Sequence, residues 1–125
     1  MARIPVHIVA GATGSGKTSL IARLCAERLD WLGLVNALPP GRGPGVRLFS
    51  AGCPCCTGKV VLQVSLARAL RETRAVRAFV EVADPGHALA LERSLGEMPF
   101  SLSVACAGSI MMPAGAGLTA AGFEP

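Results

Sequence analysis

A glycine-rich turn between an apolar segment and an amphipathic one most constrains what this chain can fold into. Residues 11–18 read GATGSGKT and fit the pattern G-x-x-x-x-G-K-[ST] without a mismatch. The preceding residues 4–10 (IPVHIVA) predict a buried strand, and residues 18–29 predict a helix whose apolar face includes Leu29. A strand, a glycine turn and a helix in this order are typical of a loop that binds phosphate, and they predict an α/β fold.

The residue types in this turn explain how phosphate oxygens would be held. Glycines let the backbone wrap closely so that N–H groups point at an anion, and the start of a helix favours negative charge. Lys17 would place a positive charge at the β- and γ-phosphates and act in catalysis, and Thr18 would bind Mg²⁺. The predicted nucleotide-binding residues are Gly11, Thr13, Gly14, Ser15, Gly16, Lys17, Thr18 and Ser19. A dinucleotide-binding loop is excluded because the third glycine of G-x-G-x-x-G would fall at Ser19.

The rest of the sequence predicts alternating strands and helices. Further strands are expected over 31–36, 46–50, 76–83 and 100–106, and further helices over 59–71 and 85–95. This alternation is typical of a three-layer α/β sandwich with a mostly parallel sheet, as in P-loop NTPases. We therefore predict one nucleotide-binding domain over residues 1–106, followed by an uncharged Gly/Ala-rich tail over 107–125.

Composition and charge narrow the choice of partners. The net charge is +4, only two of the twelve basic residues are lysines, and the chain has no Tyr and one Trp, so we predict no nucleic-acid partner. Residues 98–123 carry no charge, and this run is long enough to cross a bilayer. Pro99 and Pro113, together with several glycines, break the run, so we predict no membrane span.

Three of the five cysteines, Cys53, Cys55 and Cys56, are clustered in the segment GCPCCT. An odd count with such clustering is unlike a secreted disulfide framework and predicts reduced thiols in a cytoplasmic protein. Thiolates bind Zn²⁺ and similar metals, but a structural zinc site needs four donors. The others could come from His7, His87, an acid, water or a second chain in a homodimer. Buried inert thiols, or a redox site built on the C-x-x-C spacing of Cys53 and Cys56, are the alternatives.

Glu81 is the strongest candidate for an acid that acts with the phosphate loop. It follows Phe79 and Val80 on a hydrophobic strand, where P-loop proteins place a carboxylate that reaches the Mg²⁺ ion or orients the attacking water. Asp84 is the substitute for this role. The alternative is that Glu81 is a solvent-facing acid at the end of a strand.

The remaining polar and sulfur-bearing residues fit structural roles better than functional ones. His7 lies inside the first strand and is expected to be a core histidine with a hydrogen-bond partner. Cys25 and Cys106 lie on apolar faces and are expected to be in the core. Arg42 and Arg47 flank a glycine- and proline-rich loop, where they would be solvated or would approach phosphate.

The phosphate loop followed by the segment GCPCC resembles the CobW-type P-loop GTPases, which are related to the nickel-insertion GTPases of urease and hydrogenase maturation. The resemblance covers about residues 4–106. It implies GTP hydrolysis coupled to the handling of zinc or another thiophilic metal, as in a metallochaperone that serves a client metalloprotein. By this resemblance Cys53, Cys55 and Cys56 bind that metal, Lys17 and Thr18 hold phosphate and Mg²⁺, and Glu81 matches the acid of the family's ExxG segment.

The sequence also departs from this family. It lacks the Asn/Thr-Lys-x-Asp motif that reads guanine, and Asp84 replaces the glycine of ExxG. Residues 37–45, in the region of the first switch, contain no acid. The fold is expected to be incomplete at its C-terminus, because the strand that carries base recognition does not follow. GTP and ATP both stay open, and the alternatives are an ATP-using P-loop enzyme and a catalytically silent module that binds a metal or a partner protein.

Overall fold

A computed structural model describes residues 3–11, 16–35, 45–48, 59–82, 85–97 and 104–112, and three single residues at 117, 119 and 122. Within this part of the chain the elements are, in order, β1 (Ile4–Ala10), α1 (Lys17–Glu27), β2 (Trp31–Val35), β3 (Val46–Leu48), α2 (Lys59–Thr73), β4 (Arg77–Val82), α3 (Pro85–Gly96) and β5 (Val104–Met111). The predicted alternation of strands and helices is confirmed.

The five strands form one parallel sheet in the order β3-β2-β4-β1-β5. β1 therefore lies between β4 and β5, and the strand that precedes the phosphate loop is central. In the β1–β4 pair, Val9 is level with Glu81. Since parallel strands point the same way, the loop after β1 and the last residues of β4 meet at one edge of the sheet. The predicted α/β class is confirmed.

Helices cover both faces of the sheet, as an all-parallel sheet requires. Alternate residues of β1 point to opposite faces, so Val6, Ile8 and Ala10 join one core and Val9 joins the other. The first core contains buried residues of α2 and α3, namely Leu66, Ala69, Leu70, Ala88, Leu91 and Leu95. The second contains those of α1, namely Leu20, Ile21, Leu24 and Cys25. The layers are thus α1, the sheet, and α2 with α3.

A glycine in β2 sets how closely α1 approaches the sheet. A Cβ atom at Gly33 would clash with the side chain of Ile21 and would lie 3.2 Å from the Sγ atom of Cys25. The missing side chain lets the middle of α1 lie directly on β2. Because α1 begins at Lys17, this contact also helps to fix the height of its first turn above the sheet.

Two local predictions were wrong. The last strand was expected over 100–106 but runs from Val104 to Met111, so residues 107–111 of the predicted tail belong to the sheet. Its small residues give little strand signal, and its pairing with β1 shifts register between Val6 and His7. Leu29 was expected on the apolar face of α1, but the helix ends at Glu27 and Leu29 is 75% exposed. None of the helices in the described residues is long and apolar enough to cross a membrane.

Candidate functional site

The candidate site lies where α1 begins, above the carboxyl ends of β1 and β4. Glu81 is the second-last residue of β4 and pairs with Val9, two residues before Gly11. It follows Phe79 by two residues, so both side chains point to the face of the sheet that α1 covers. This alternation brings the carboxylate under the first turn of α1, where Lys17 and Thr18 stand.

Lys17, Thr18 and Glu81, which we call the lysine cluster, are in direct contact. The Thr18 hydroxyl donates a hydrogen bond of 2.7 Å to Oε1 of Glu81. The same oxygen lies 3.8 Å from Nζ of Lys17, and both charged side chains are only 6% exposed. A charge removed from water is costly unless an opposite charge and hydrogen bonds surround it. Two buried charges that meet at the start of a helix therefore point to a functional arrangement.

The first turn of α1 has the features of an anion site. Gly16 caps the helix with φ = 93°, a left-handed conformation that glycine adopts without strain, and no side chain caps the N-terminus. The first turn contains no acidic residue. Backbone N–H groups at a helix start carry partial positive charge, and Lys17 adds a full charge beside them. Together they favour a ligand with several negative oxygens.

The oxygen donors beside Lys17 are also suited to Mg²⁺. This ion prefers hard oxygen ligands and binds through one or two protein groups together with phosphate oxygens and water. The Thr18 hydroxyl and the Glu81 carboxylate are donors of that kind, already within 2.7 Å of each other. Within the described residues, no group of three or more His, Cys, Asp or Glu side chains could hold a metal ion.

Several predicted site residues lie outside the described residues. They are Thr13, Gly14 and Ser15 of the phosphate loop, Cys53, Cys55 and Cys56 of the thiol segment, Arg42, and Asp84. His87 is in α3, but its side chain is not among those described. Of the predicted site residues, the structure brings together Gly11, Gly16, Lys17, Thr18, Ser19 and Glu81 at one edge of the sheet.

His7 has the structural role that its position predicted. It is 8% exposed, its Nε2 lies 2.6 Å from a guanidinium nitrogen of Arg77, and its ring stacks on Phe79 with 5.1 Å between centroids. Arg77 also lies over the ring of Trp31, at 5.3 Å from its centroid. Burial, helped by the positive charge of Arg77, lowers the pKa of His7 to about 4. We call His7, Arg77, Phe79 and Trp31 the histidine cluster; its imidazole is neutral at pH 7 and accepts the bond from Arg77.

The other residues considered from the sequence have structural surroundings. Cys25 is buried in the core under α1, and burial raises the pKa of its thiol to about 12. Cys106 is only half-buried and packs against the core on the side of α3, so its predicted core position is confirmed in part. Arg47 pairs with Glu72 of α2 at 2.8 Å on the surface, which agrees with its solvated alternative.

A pocket of about 210 Å³ lies beside Gly16, the last glycine of the phosphate loop. One residue that lines it, Met112, was not predicted from the sequence to lie near this loop. The pocket is lined by Gly16, Ser19, Leu20, Arg23 and Met112. Met112 was placed in the predicted tail, but it follows β5 directly, and its backbone N–H donates a hydrogen bond of 2.8 Å to the carbonyl of Ala10. A longer last strand in the prediction would have brought Met112 to this edge of the sheet.

Comparison with known proteins gives the family. No curated protein and no solved structure matches the chain. The family described as CobW/HypB/UreG, nucleotide-binding domain, matches residues 5–111, which include β1 from its second residue, the phosphate loop, Glu81 and the whole of β5. The chain therefore belongs to the CobW/HypB/UreG family and contains its nucleotide-binding domain.

Proposed function

We propose that this protein binds and hydrolyses GTP, and that turnover is coupled to the binding of zinc or another thiophilic metal at Cys53, Cys55 and Cys56. The observation that carries the nucleotide half is the lysine cluster, a buried Lys17–Glu81 pair bonded to Thr18 at the start of a helix. Family membership supports a nucleotide as the ligand. The metal half rests on the thiol segment and on the resemblance that includes it.

Lys17 and Thr18 would bind the phosphates from one side. The Lys17 ammonium, held in a dry site by Glu81, neutralises negative charge on the β- and γ-phosphates. Backbone N–H groups at the start of α1 donate to phosphate oxygens, and Ser19 lies next in sequence for the α-phosphate. A site that presents these donors in fixed positions stabilises charge that develops on the phosphoryl group as the bond breaks.

Glu81 would act as a positioning residue rather than as a base. Its Oε1 already accepts from Thr18 and lies beside Lys17, which supports a role in holding both groups toward the phosphates. Mg²⁺, held by Thr18 and Glu81, would supply further neutralisation of phosphate charge. The water-orienting role predicted for Glu81 is the alternative. Replacing Glu81 with Gln tests whether the negative charge beside Lys17 is needed, because the amide keeps an oxygen acceptor for Thr18 but carries no charge.

The experiment that tests the proposal measures GTP binding and turnover on one sample, with and without Zn²⁺. We expect binding that requires Mg²⁺ and turnover that rises when Zn²⁺ is added. Lys17→Ala should weaken GTP binding by about 100-fold, since it removes a charge-assisted contact from a buried site. Arg71→Ala, which removes an exposed arginine of α2, is the control and should leave both quantities unchanged.

The outcomes of this experiment divide the proposal into parts. If GTP and ATP both fail to bind, the nucleotide half is overturned. Binding without turnover would overturn hydrolysis and favour the silent binding module. Turnover that ignores Zn²⁺, and that is unchanged when Cys53, Cys55 and Cys56 are all replaced by Ser, would overturn the coupling to metal. Turnover of ATP in preference to GTP would favour the ATP-using enzyme.

A further inference from the structure

The residue that follows β5 lies against both ends of the phosphate loop. At the first end, the backbone N–H of Met112 donates a hydrogen bond of 2.8 Å to the carbonyl of Ala10, the last residue of β1. At the other end, a Cβ atom on Gly16 would lie 3.4 Å from Cε of Met112. One residue from the end of the sheet therefore contacts the residue before the loop and the glycine at which α1 begins.

The hydrogen bond to Ala10 sets the direction in which the chain leaves β1. The carbonyl of Ala10 and the N–H of Gly11 belong to one planar trans peptide unit, so they point in opposite directions. Since the carbonyl is held by Met112, on the side of β5, the N–H of Gly11 points away from β5. The bond thus fixes the orientation of the peptide at which the loop starts.

The side chain of Met112 supports the other end of the loop. It is 9% exposed and belongs to the core under α1 together with Leu20. Its terminal methyl group lies beside Gly16, whose carbonyl accepts a hydrogen bond of 2.9 Å from the backbone N–H of Leu20 in the first turn of the helix. Because protein interiors pack closely, this methyl group limits how far the start of α1 can move toward β5.

The register shift in the pairing of β1 with β5 brings Met112 to this position. If the register of the first three pairs continued, Ala10 would pair with Ile110. After the shift Ala10 pairs with Met111, and the next residue, Met112, donates to Ala10 and joins the core under α1. Bulges are common next to active sites, where they redirect a side chain. The irregularity in β5 therefore selects which residue contacts the loop.

We propose that Met112 is a positioning residue for phosphate binding, which acts by holding both ends of the phosphate loop in place. The inference rests on the proposed function. Glycine has more backbone freedom than any other residue, so ordering a glycine-rich loop around a ligand weakens binding unless the fold already holds the loop. Contacts at both of its ends reduce this cost equally for every ligand that carries a triphosphate. Met112 thus contributes to affinity through Ala10 and Gly16.

The first test measures the Kd of GTP and of inorganic tripolyphosphate, in the presence of Mg²⁺, for the unaltered protein and for two variants. Met112→Leu keeps a buried apolar side chain but ends one atom short of the methyl group beside Gly16. It should weaken both ligands by the same factor of about three while the free energy of unfolding stays nearly unchanged. Met112→Ala removes the side chain beyond Cβ and should weaken both by about tenfold.

Two control variants separate positioning from stability. Met111→Ala makes the same change one residue earlier, on a side chain that is 45% exposed and points to the opposite face of the sheet. Val104→Ala removes buried apolar surface at the amino end of β5, the end away from the loop. Val104→Ala should lower the free energy of unfolding, and neither control should change the Kd of tripolyphosphate. If Val104→Ala weakened binding as much as Met112→Ala, the loss would follow stability alone and the proposal would be overturned.

The ligand comparison distinguishes this proposal from the proposed function. If neither ligand bound to the unaltered protein, the proposed function would be overturned and this inference with it. If Met112→Leu weakened GTP but not tripolyphosphate, Met112 would act on the nucleoside and not on the loop, and only this inference would be overturned. Unchanged Kd values for both ligands would overturn it as well. Should Met112→Ala not fold, Met112→Leu decides the outcome.

Methyl NMR of the unaltered protein gives a readout that does not depend on stability. The chain has four methionines, and Met112→Leu identifies the methyl resonance of Met112 by removing it. Saturation with tripolyphosphate and Mg²⁺ should shift this resonance, because the methyl group lies beside the end of the phosphate loop, and should leave that of Met111 in place. A resonance of Met112 that did not respond to bound tripolyphosphate would show that the loop and this side chain are independent, and the proposal would be wrong.

Discussion

The lysine cluster and the histidine cluster are both polar groups buried between α1 and the same face of the sheet, but they are stabilised differently. The lysine cluster keeps two opposite charges out of water and adds the Thr18 hydroxyl. The histidine cluster keeps its buried member neutral, stacks it on Phe79, and leaves its cation, Arg77, half-buried over Trp31. Buried charge is the costlier solution, and it occurs at the carboxyl ends of the strands, where parallel sheets bind ligands. The contrast distinguishes the candidate functional cluster from a structural one.

The largest difference between the clusters should appear when Glu81 is replaced by Ala in the nucleotide-free protein. The change leaves Lys17 buried without its carboxylate, and we expect a loss of about 3–5 kcal/mol in the free energy of unfolding. Urea denaturation measures it. Glu81→Gln, which keeps an acceptor for Thr18, should lose less. If Glu81→Ala were as stable as the original protein, the Lys17–Glu81 pair would contribute nothing to the free energy of unfolding, and this prediction would be wrong.

A pH series isolates the histidine cluster. Folding lowers the pKa of His7 from 6.5 to about 4. Between these pH values the unfolded chain therefore binds a proton at His7 and the folded protein does not. The stability contributed by neutral His7 is therefore present above pH 6.5, falls as the pH drops toward 4, and amounts to about 3 kcal/mol. Unfolding free energies of the protein and of His7→Gln, compared at each pH, should diverge over this window. Parallel curves would contradict the lowered pKa.

The close contact between α1 and Gly33 of β2 involves no residue of either cluster, so it can be disturbed separately. Gly33→Ala places a methyl group against Ile21 and Cys25, and overpacking of this kind should cost about 2 kcal/mol. Since the change raises the middle of α1, GTP binding at Lys17 should weaken together with stability. Denaturation and titration of the same variant measure the two effects. If both the free energy of unfolding and the Kd for GTP were unchanged, the close contact at Gly33 would not determine the position of α1, and this prediction would be wrong.

The smallest effect is expected outside both clusters. Arg47 and Glu72 form a surface pair whose side chains are 40% and 49% exposed. Water screens such a pair, so Arg47→Ala should change the unfolding free energy by no more than about 0.5 kcal/mol. Thermal unfolding at low and high salt provides the check. A loss comparable with that of Glu81→Ala would show that buried and exposed charge pairs contribute equally to the stability of this protein.

Much of the site could be predicted because its chemistry is local in the sequence. The glycine spacing before Lys17 demands a strand before it and a helix after it, and both were found. Glu81 could be predicted as a site residue because a carboxylate near the end of an otherwise apolar strand is unfavourable unless it has a binding partner. Its contact with Thr18, 63 positions away, follows once β1 and β4 are placed side by side.

There is a physical reason why the last strand of the sheet could not be predicted correctly from the sequence. The residues of β5 are mostly small and uncharged, so they show neither alternation nor a strong preference for extended backbone. Gly108, at φ = 129°, lies where the pairing with β1 changes register, and such a break erases the period that a strand normally leaves in the sequence. Because β5 was predicted to end too early, Met112 was placed in the tail, and the pocket that it lines beside Gly16 was not predicted.

The parallel sheet also determines when the site can form. In the sequence β1 precedes its neighbours β4 and β5, which begin at Arg77 and Val104, and four and six described elements lie between them. During translation, Lys17 and Thr18 are synthesised well before Glu81, which they contact in the folded protein. The lysine must stay hydrated until the chain has been synthesised past β4, and assembly of the site is a late event that depends on contacts between distant segments.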